Sequence, residues 1–167
     1  RDIAGILAMI RTLGALIGAA EKGETLAQTF ERRLAEIAAE TRGHRRPRVF
    51  FEEWDHPLTG GICWVSELIE IAGGQDVFSH LRSMKAAKDR IVSPEAVIEA
   101  APELILASWC GKKVVPEKIR QRPGWDAIPA VRHNRLVEIK SPLILQPGPA
   151  ALTDGLDAIC AALAGVR

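Results

Sequence analysis

The chain contains no tyrosine, and aromatic residues make up only 5% of it. A phenolate ligand for bare ferric iron or haem is therefore missing, so any metal handled here arrives already chelated or is held by His, Cys and carboxylates. Cysteine is scarce too. Cys63, Cys110 and Cys160 lie 47 and 50 residues apart, a spacing that fits no zinc pattern, and an odd count leaves at least one thiol outside any disulfide. Cys160, in an apolar helical run, reads as a small buried hydrophobe. Neither sign of charge dominates: 22 Lys and Arg face 21 Asp and Glu, so no strong field draws nucleic acid or anionic lipid. The one dense basic run, Arg42, His44, Arg45, Arg46 and Arg48, has no interleaved aromatics and reads as a solvated connector. No apolar run reaches the ~18 residues of a membrane span. Ile3 to Ala20 comes nearest, but Arg11 interrupts it, and it lacks the basic front and cleavage site of a signal peptide. Missing as well are G-x-G-x-x-G, a phosphate loop, G-x-S-x-G and H-E-x-x-H.

What remains is ordinary globular material: 167 residues, 47% apolar and 26% charged, enough for one self-standing core. Asp2 is a plausible N-cap for a helix through Ile3, Ile6, Leu7, Ile10, Leu13 and Ile17, weakened at its end by Gly14 and Gly18. After Gly23, Leu26, Phe30, Leu34 and Ile37 draw one narrow apolar seam on a long charged helix, of the kind that bridges two bodies. From Pro47 the pattern changes. Arg48 to Trp54 reads as a strand, broken at Pro57 to Gly61. A helix over 62–72 is stopped by Gly73-Gly74, and Ser93-Pro94 opens another. Glu103 to Trp109 reads as a buried parallel strand, Leu136 to Ile139 as a third, and Ala150 to Ala164 as a closing helix. Strands alternating with helices imply an open, mostly parallel α/β sheet layered between helices. The division expected is a helical segment at 1–46 and an α/β lobe at 47–167. The start at Arg1, already inside a helical pattern, suggests that the front part of something longer is missing.

Ligands of such folds collect beyond the carboxyl ends of the strands. Those ends deliver Glu52, Glu53, Trp54, Asp55 and His56, then Ser108, Trp109, Cys110 and Lys112, then the loop Ser141 to Pro149. Trp54 and Trp109 facing a proline-rich apolar loop describe a wall for a large, flat ligand, or else two tryptophans that cap the sheet as core. Catalytic groupings are thin. Cys110 with His56 is the one nucleophile–base pair available to a small α/β enzyme. Glu52 and Glu53 are neighbours on a strand, point to opposite faces and cannot act on one atom.

The run Val49-Phe-Phe-Glu-Glu-Trp-Asp-His-Pro57, followed by Trp64 to Phe78 with its Gly73-Gly74, resembles the cobalamin/iron-siderophore substrate-binding proteins of ABC importers, and most of all their cobalamin-binding branch. Val92-Ser-Pro-Glu95, Pro102 to Leu106 and Pro147-Gly-Pro149 support the resemblance, as does Ile10-Arg-Thr-Leu-Gly14 ahead of the charged helix. It implies the class III architecture: two α/β lobes joined by one stiff helix, ligand clasped between them. This chain then corresponds to the joining helix and the carboxyl-terminal lobe. Its implied function is not enzymatic. It would capture a cobalamin-like corrinoid for an ABC permease, in the periplasm or anchored by lipid outside the cell, with a ferric siderophore as the alternative ligand. No cofactor of its own is implied. By loop position, Trp54, Trp109 and Leu143, Ile144 and Gln146 supply this lobe's contacts, with Glu53 or Asp55 bonding corrin amides. Arg132 and Arg135 are the basic pair open to an anionic siderophore. A lone lobe offers the ligand only about half its contacts, which implies weak or absent binding by this chain alone, and its bared apolar surface implies a homodimer.

Overall fold

A computed structural model describes residues 1–166. Two helices lead: α1 (Ile3–Leu16), with the Asp2 side chain accepting the Gly5 N–H as N-cap, and α2 (Ala20–Glu40). Gly14 is not merely a weak spot in α1. A Cβ placed there would lie 2.9 Å from the Gly23 Cα, so the pair of glycines is what lets the two helices touch backbone to backbone. The seam of α2 buries Ala27, Phe30 and Leu34, whereas Leu26 stays exposed.

The sheet consists of β1 (Arg48–Asp55), β2 (Leu58–Gly60), β3 (Gln75–Asp76), β4 (Leu104–Ala107) and β5 (Leu136–Glu138). The path runs β2-β1-β4-β5, with β3 beside the start of β1. All pairings are parallel except β1 with β2. The Pro57 break is thus a tight hairpin: Leu58 returns beside Asp55 in antiparallel register, and Leu58 and Thr59 are buried. A two-residue reversal followed by three strand residues leaves no period to read.

Alternation along β1 and β4 sets the layers. Val49, Phe51, Leu104 and Leu106 face one core, where α1 and α2 join α3 (Cys63–Ile71) and α8 (Leu156–Ala164). Phe50, Ile105 and Ala107 face the other, under α4 (Pro94–Ala100) and α5 (Pro116–Arg120). Each fully buried Val, Leu, Ile or Phe side chain among them stabilises by about 1.5–3 kcal/mol. Ser93 caps α4 by accepting the Ala96 N–H, with Pro94 in the first turn. Gly73 ends α3 at φ +81°, as a left-handed cap requires. Two short helices, α6 (Pro129–Arg132) and α7 (Ser141–Ile144), complete the set. The closing helix enters through a wide turn at Ala151–Gly155, where a Cβ on Gly155 would sit 2.5 Å from the Leu143 carbonyl oxygen.

The arginine-rich connector is fastened at several points. Arg45 pairs with Glu103, and Arg46 pairs with Glu70 and bonds the Gly74 carbonyl. The Arg48 backbone N–H donates to Glu103, 3.0 Å away. Burial works to raise the Glu103 carboxyl, but that N–H and Arg45 outweigh it and hold its pKa below the usual carboxylate value. Cys160 is half-buried against the first core.

Candidate ligand-binding site

The carboxyl ends of β1 and β4 lie side by side. Two neighbouring glutamates there are each committed to an arginine of their own. Glu52 is fully buried and receives both Arg122 amino groups, at 2.6 and 2.8 Å, together with the Trp109 indole N–H at 2.9 Å. Glu53, on the other face, receives Arg90 at 2.5 and 3.1 Å, and Arg90 also donates to the Gly60 carbonyl. Bidentate arginine satisfies a buried carboxylate without water. These pairs make a rigid base.

On that base stands Trp54, half-buried, its indole N–H donating to the His56 carbonyl at 2.8 Å. The Lys112 ammonium lies 4.2 Å from the centre of the Trp54 ring and 5.0 Å from that of Trp109, and 2.6 Å from an Asp55 carboxylate oxygen. Burial pushes the Asp55 carboxyl up, but the hydrogen bond and charge of Lys112 prevail and keep its pKa below normal. Beside Trp54 opens a cavity of about 370 Å³, walled by Pro57, Ile91, Glu53, Lys88 and Cys110. A smaller hollow of about 210 Å³ lies between Trp109, Lys112, Lys113, Lys140 and Pro142.

The residues singled out from sequence are thus split. Glu53 and Trp54 line the larger cavity, whereas Asp55, next along β1, does not line it and is engaged by Lys112. Trp109 is 2% exposed and belongs to the second core, held there by Glu52. Ile144 is fully buried, and its carbonyl accepts the Trp64 indole N–H at 2.8 Å. Leu143 is half-buried against the first core, and Gln146 is exposed. The expected loop is partly the helix α7, so its apolar side chains turn inward. Arg132 and Arg135 precede β5 and sit at the amino end of the strands, opposite this site. Cys110 and His56 are exposed, and among the described residues no hydrogen bond joins them. No group of three His, Cys, Asp or Glu there is placed to hold a metal ion. The segment 82–91, which supplies Lys88, Arg90 and Ile91, carries no periodic or motif signal in the sequence. Only the turn-forming Ser93-Pro94 after it is legible.

A parallel sheet with an aromatic platform at its carboxyl edge and a long helix packed along one side is the lobe of a class III solute-binding protein. The chain belongs to the periplasmic binding protein family, which matches residues 1–143. No curated protein matches the sequence. Among solved structures, it resembles the periplasmic heme-binding protein RhuT from Roseiflexus sp. RS-1, with 24% identity, TM-score 0.74, and coverage of 96% of this chain and 64% of that one. It is also similar to an ABC-type Fe3+-hydroxamate transport protein from Saccharomonospora viridis (19%, TM-score 0.78, 98% and 56%). The periplasmic vitamin B12 binding protein BtuF of Vibrio cholerae is a third (20%, TM-score 0.72, 99% and 62%). The chain therefore spans 56–64% of the length of these three. No helix of the described residues is long and apolar enough to cross a membrane.

Proposed function

We propose that this chain is the carboxyl-terminal lobe, with the joining helix, of the solute receptor of an ABC importer, and that it captures a flat metal-chelating macrocycle, a cobalamin-like corrinoid first, for delivery to the permease. The division is the helical segment 1–46 and the ligand-binding lobe 47–167. The observation that carries the reading is the cavity beside Trp54, whose apolar wall is built from the indole ring, Pro57 and Ile91. A rigid indole offers large contact area with little entropy to lose, and apolar concave sites with few polar groups suit such ligands. Relatives of this fold that bind heme and vitamin B12 support the choice of ligand shape.

A ferric siderophore is the second reading, favoured by the hydroxamate-transport relative. The receptor works in the periplasm or tethered by lipid outside the cell. On its own, this chain pairs with a second copy through the bared end of α1, where Leu13, Leu16 and Ile17 are 51%, 76% and 77% exposed.

Calorimetric titration of the two-lobed receptor that contains this chain with cyanocobalamin, haemin and a ferric hydroxamate tests the ligand. Binding of a macrocycle that Trp54→Ala weakens is the expected result. Binding of the hydroxamate alone would move the function to the second reading, and binding of none of the three would overturn the ligand-capture reading.

A further inference from the structure

The amino edge of the sheet gathers arginines that the sequence keeps far apart. Resting on the receptor reading only for the presence of a membrane, we propose that this edge is a docking surface for anionic phospholipid, on which the protein settles with its Trp54 cavity turned away.

Strand order builds the row. Arg48 opens β1, and Arg135 immediately precedes β5. The two strands are separated by β4 alone, which puts these backbones about 10 Å apart at a strand spacing of ~4.8 Å. Val49 lies beside Leu104 and Ile105 beside Leu136 in parallel register, so both arginines stand at the same end of the sheet. Arg132 closes α6 just before β5, and the connector brings Arg42, Arg45 and Arg46 to that end as it enters β1. Two of these six are spent, Arg45 on Glu103 and Arg46 on Glu70. Arg48 gives one N–H to the Ala101 carbonyl at 3.0 Å. Among the described residues, Arg42, Arg48, Arg132 and Arg135 make no ion pair. The first three are exposed and Arg135 is half-buried. Exposed carboxylates at this end are Glu40, which closes α2, and Glu99 in α4.

A net charge of +1 over the whole chain hides that concentration. Charges within a Debye length, about 8–10 Å in physiological salt, act together. A guanidinium binds phosphate through two parallel N–H donors, and clusters of about four to eight basic residues are drawn to anionic membranes. No Phe or Trp is interleaved with these arginines to stack on bases, which favours lipid over nucleic acid. The cavity beside Trp54 lies at the opposite, carboxyl end of β1, so contact through the amino edge leaves it open to solute.

Cosedimentation of this chain with vesicles tests the surface, using phosphatidylcholine alone and phosphatidylcholine mixed with phosphatidylglycerol. Wild type should partition onto the mixed vesicles only, and raised salt should release it. Arg42→Gln with Arg132→Gln removes two exposed, unpaired charges and should weaken partitioning about twenty-fivefold, about fivefold per charge. Arg42→Lys with Arg132→Lys should retain it. Lys22→Gln with Arg32→Gln removes the same charge from exposed positions of α2 and should have little effect. All these side chains are exposed, so the variants should melt with wild type. Equal losses in the two Gln pairs would mean attraction by net charge alone and would overturn the edge as the site. Binding to neutral vesicles as tight as to mixed ones, or to neither, would overturn it too. Retention of a short DNA duplex without vesicle binding would give the edge to another polyanion and refute the lipid assignment. Each of these failures leaves solute capture intact, since calorimetry reads that separately.

Discussion

The ends of β1 and β4 carry the same kind of residue in the same place, and the protein uses them oppositely. Trp54, near the end of β1, remains partly open: its indole N–H donates to the neighbouring His56 carbonyl, and the Lys112 ammonium lies over its ring. Trp109 follows β4 by two residues and is 2% exposed, its N–H spent on a buried carboxylate. What separates them is the partner beneath. Glu52 needs donors in the core, and Arg122 with Trp109 supplies them. Glu53 takes Arg90 from below, which leaves the indole beside it for a ligand. Surface chemistry at a strand end is thus decided by which face of the strand holds the unsatisfied charge.

The largest effects should come from breaking the β4 side. Trp109→Ala removes a buried ring and its hydrogen bond and should destabilise by about 3–5 kcal/mol in urea unfolding. Trp54→Ala should shift the same curve by only about 1–2 kcal/mol, because its ring is only partly buried. Equal losses would erase the distinction between the two tryptophans. Arg122→Met should also approach about 3–5 kcal/mol, since it strands the Glu52 charge without a countercharge. Arg90→Met should be milder, because Glu53 keeps 18% of its side-chain surface in water.

A pH experiment sharpens the contrast between paired and unpaired carboxylates. Burial pushes the Asp76 carboxyl above its ordinary pKa, despite the Phe78 N–H that donates to it at 3.0 Å. A raised folded pKa means that folding binds the proton more tightly, so stability is greatest below the unfolded value and falls as pH rises through the folded one. Asp76→Asn keeps the acceptor and removes the charge. The variant should match wild type at acid pH and become the more stable protein towards neutrality, in melts run from pH 3 to 7. Glu103 and Asp55 have the opposite sign: their pKa values are depressed, so their stabilisation is present at neutral pH and is lost as pH falls through the acid range.

The smallest expected effect is on association. Leu16→Glu with Ile17→Glu should leave the fold unchanged, because both side chains are more than three-quarters exposed, and should shift sedimentation of the concentrated chain towards monomer. An unchanged profile would place the dimer contact elsewhere.

Much of this architecture was legible because it is local. The β-rich run of β1, the one-sided seam of α2 and the Ser93-Pro94 start of α4 each follow from a period or a cap. The alternation that sends Glu52 and Glu53 to opposite faces was legible as well, and so was Gly73 as a terminator. What escaped depends on distant partners. Nothing near Trp109 announces that Glu52, 57 residues away, will take its N–H. Leu143 and Ile144 look like an apolar lip until α7 turns them towards α8 and the core. Arg90 and Lys88 lie in a stretch with no pattern at all, and they matter only because the fold brings them under Glu53 and beside Trp54.

The most direct test of the central claim, that ligand meets this lobe at Trp54, is the set of four indole N–H signals in an NMR titration with diamagnetic cyanocobalamin. The Trp54 signal should move progressively while those of Trp64, Trp109 and Trp125, all buried, stay in place. Movement of Trp109 with Trp54 still, or no movement at saturating ligand, would contradict the account.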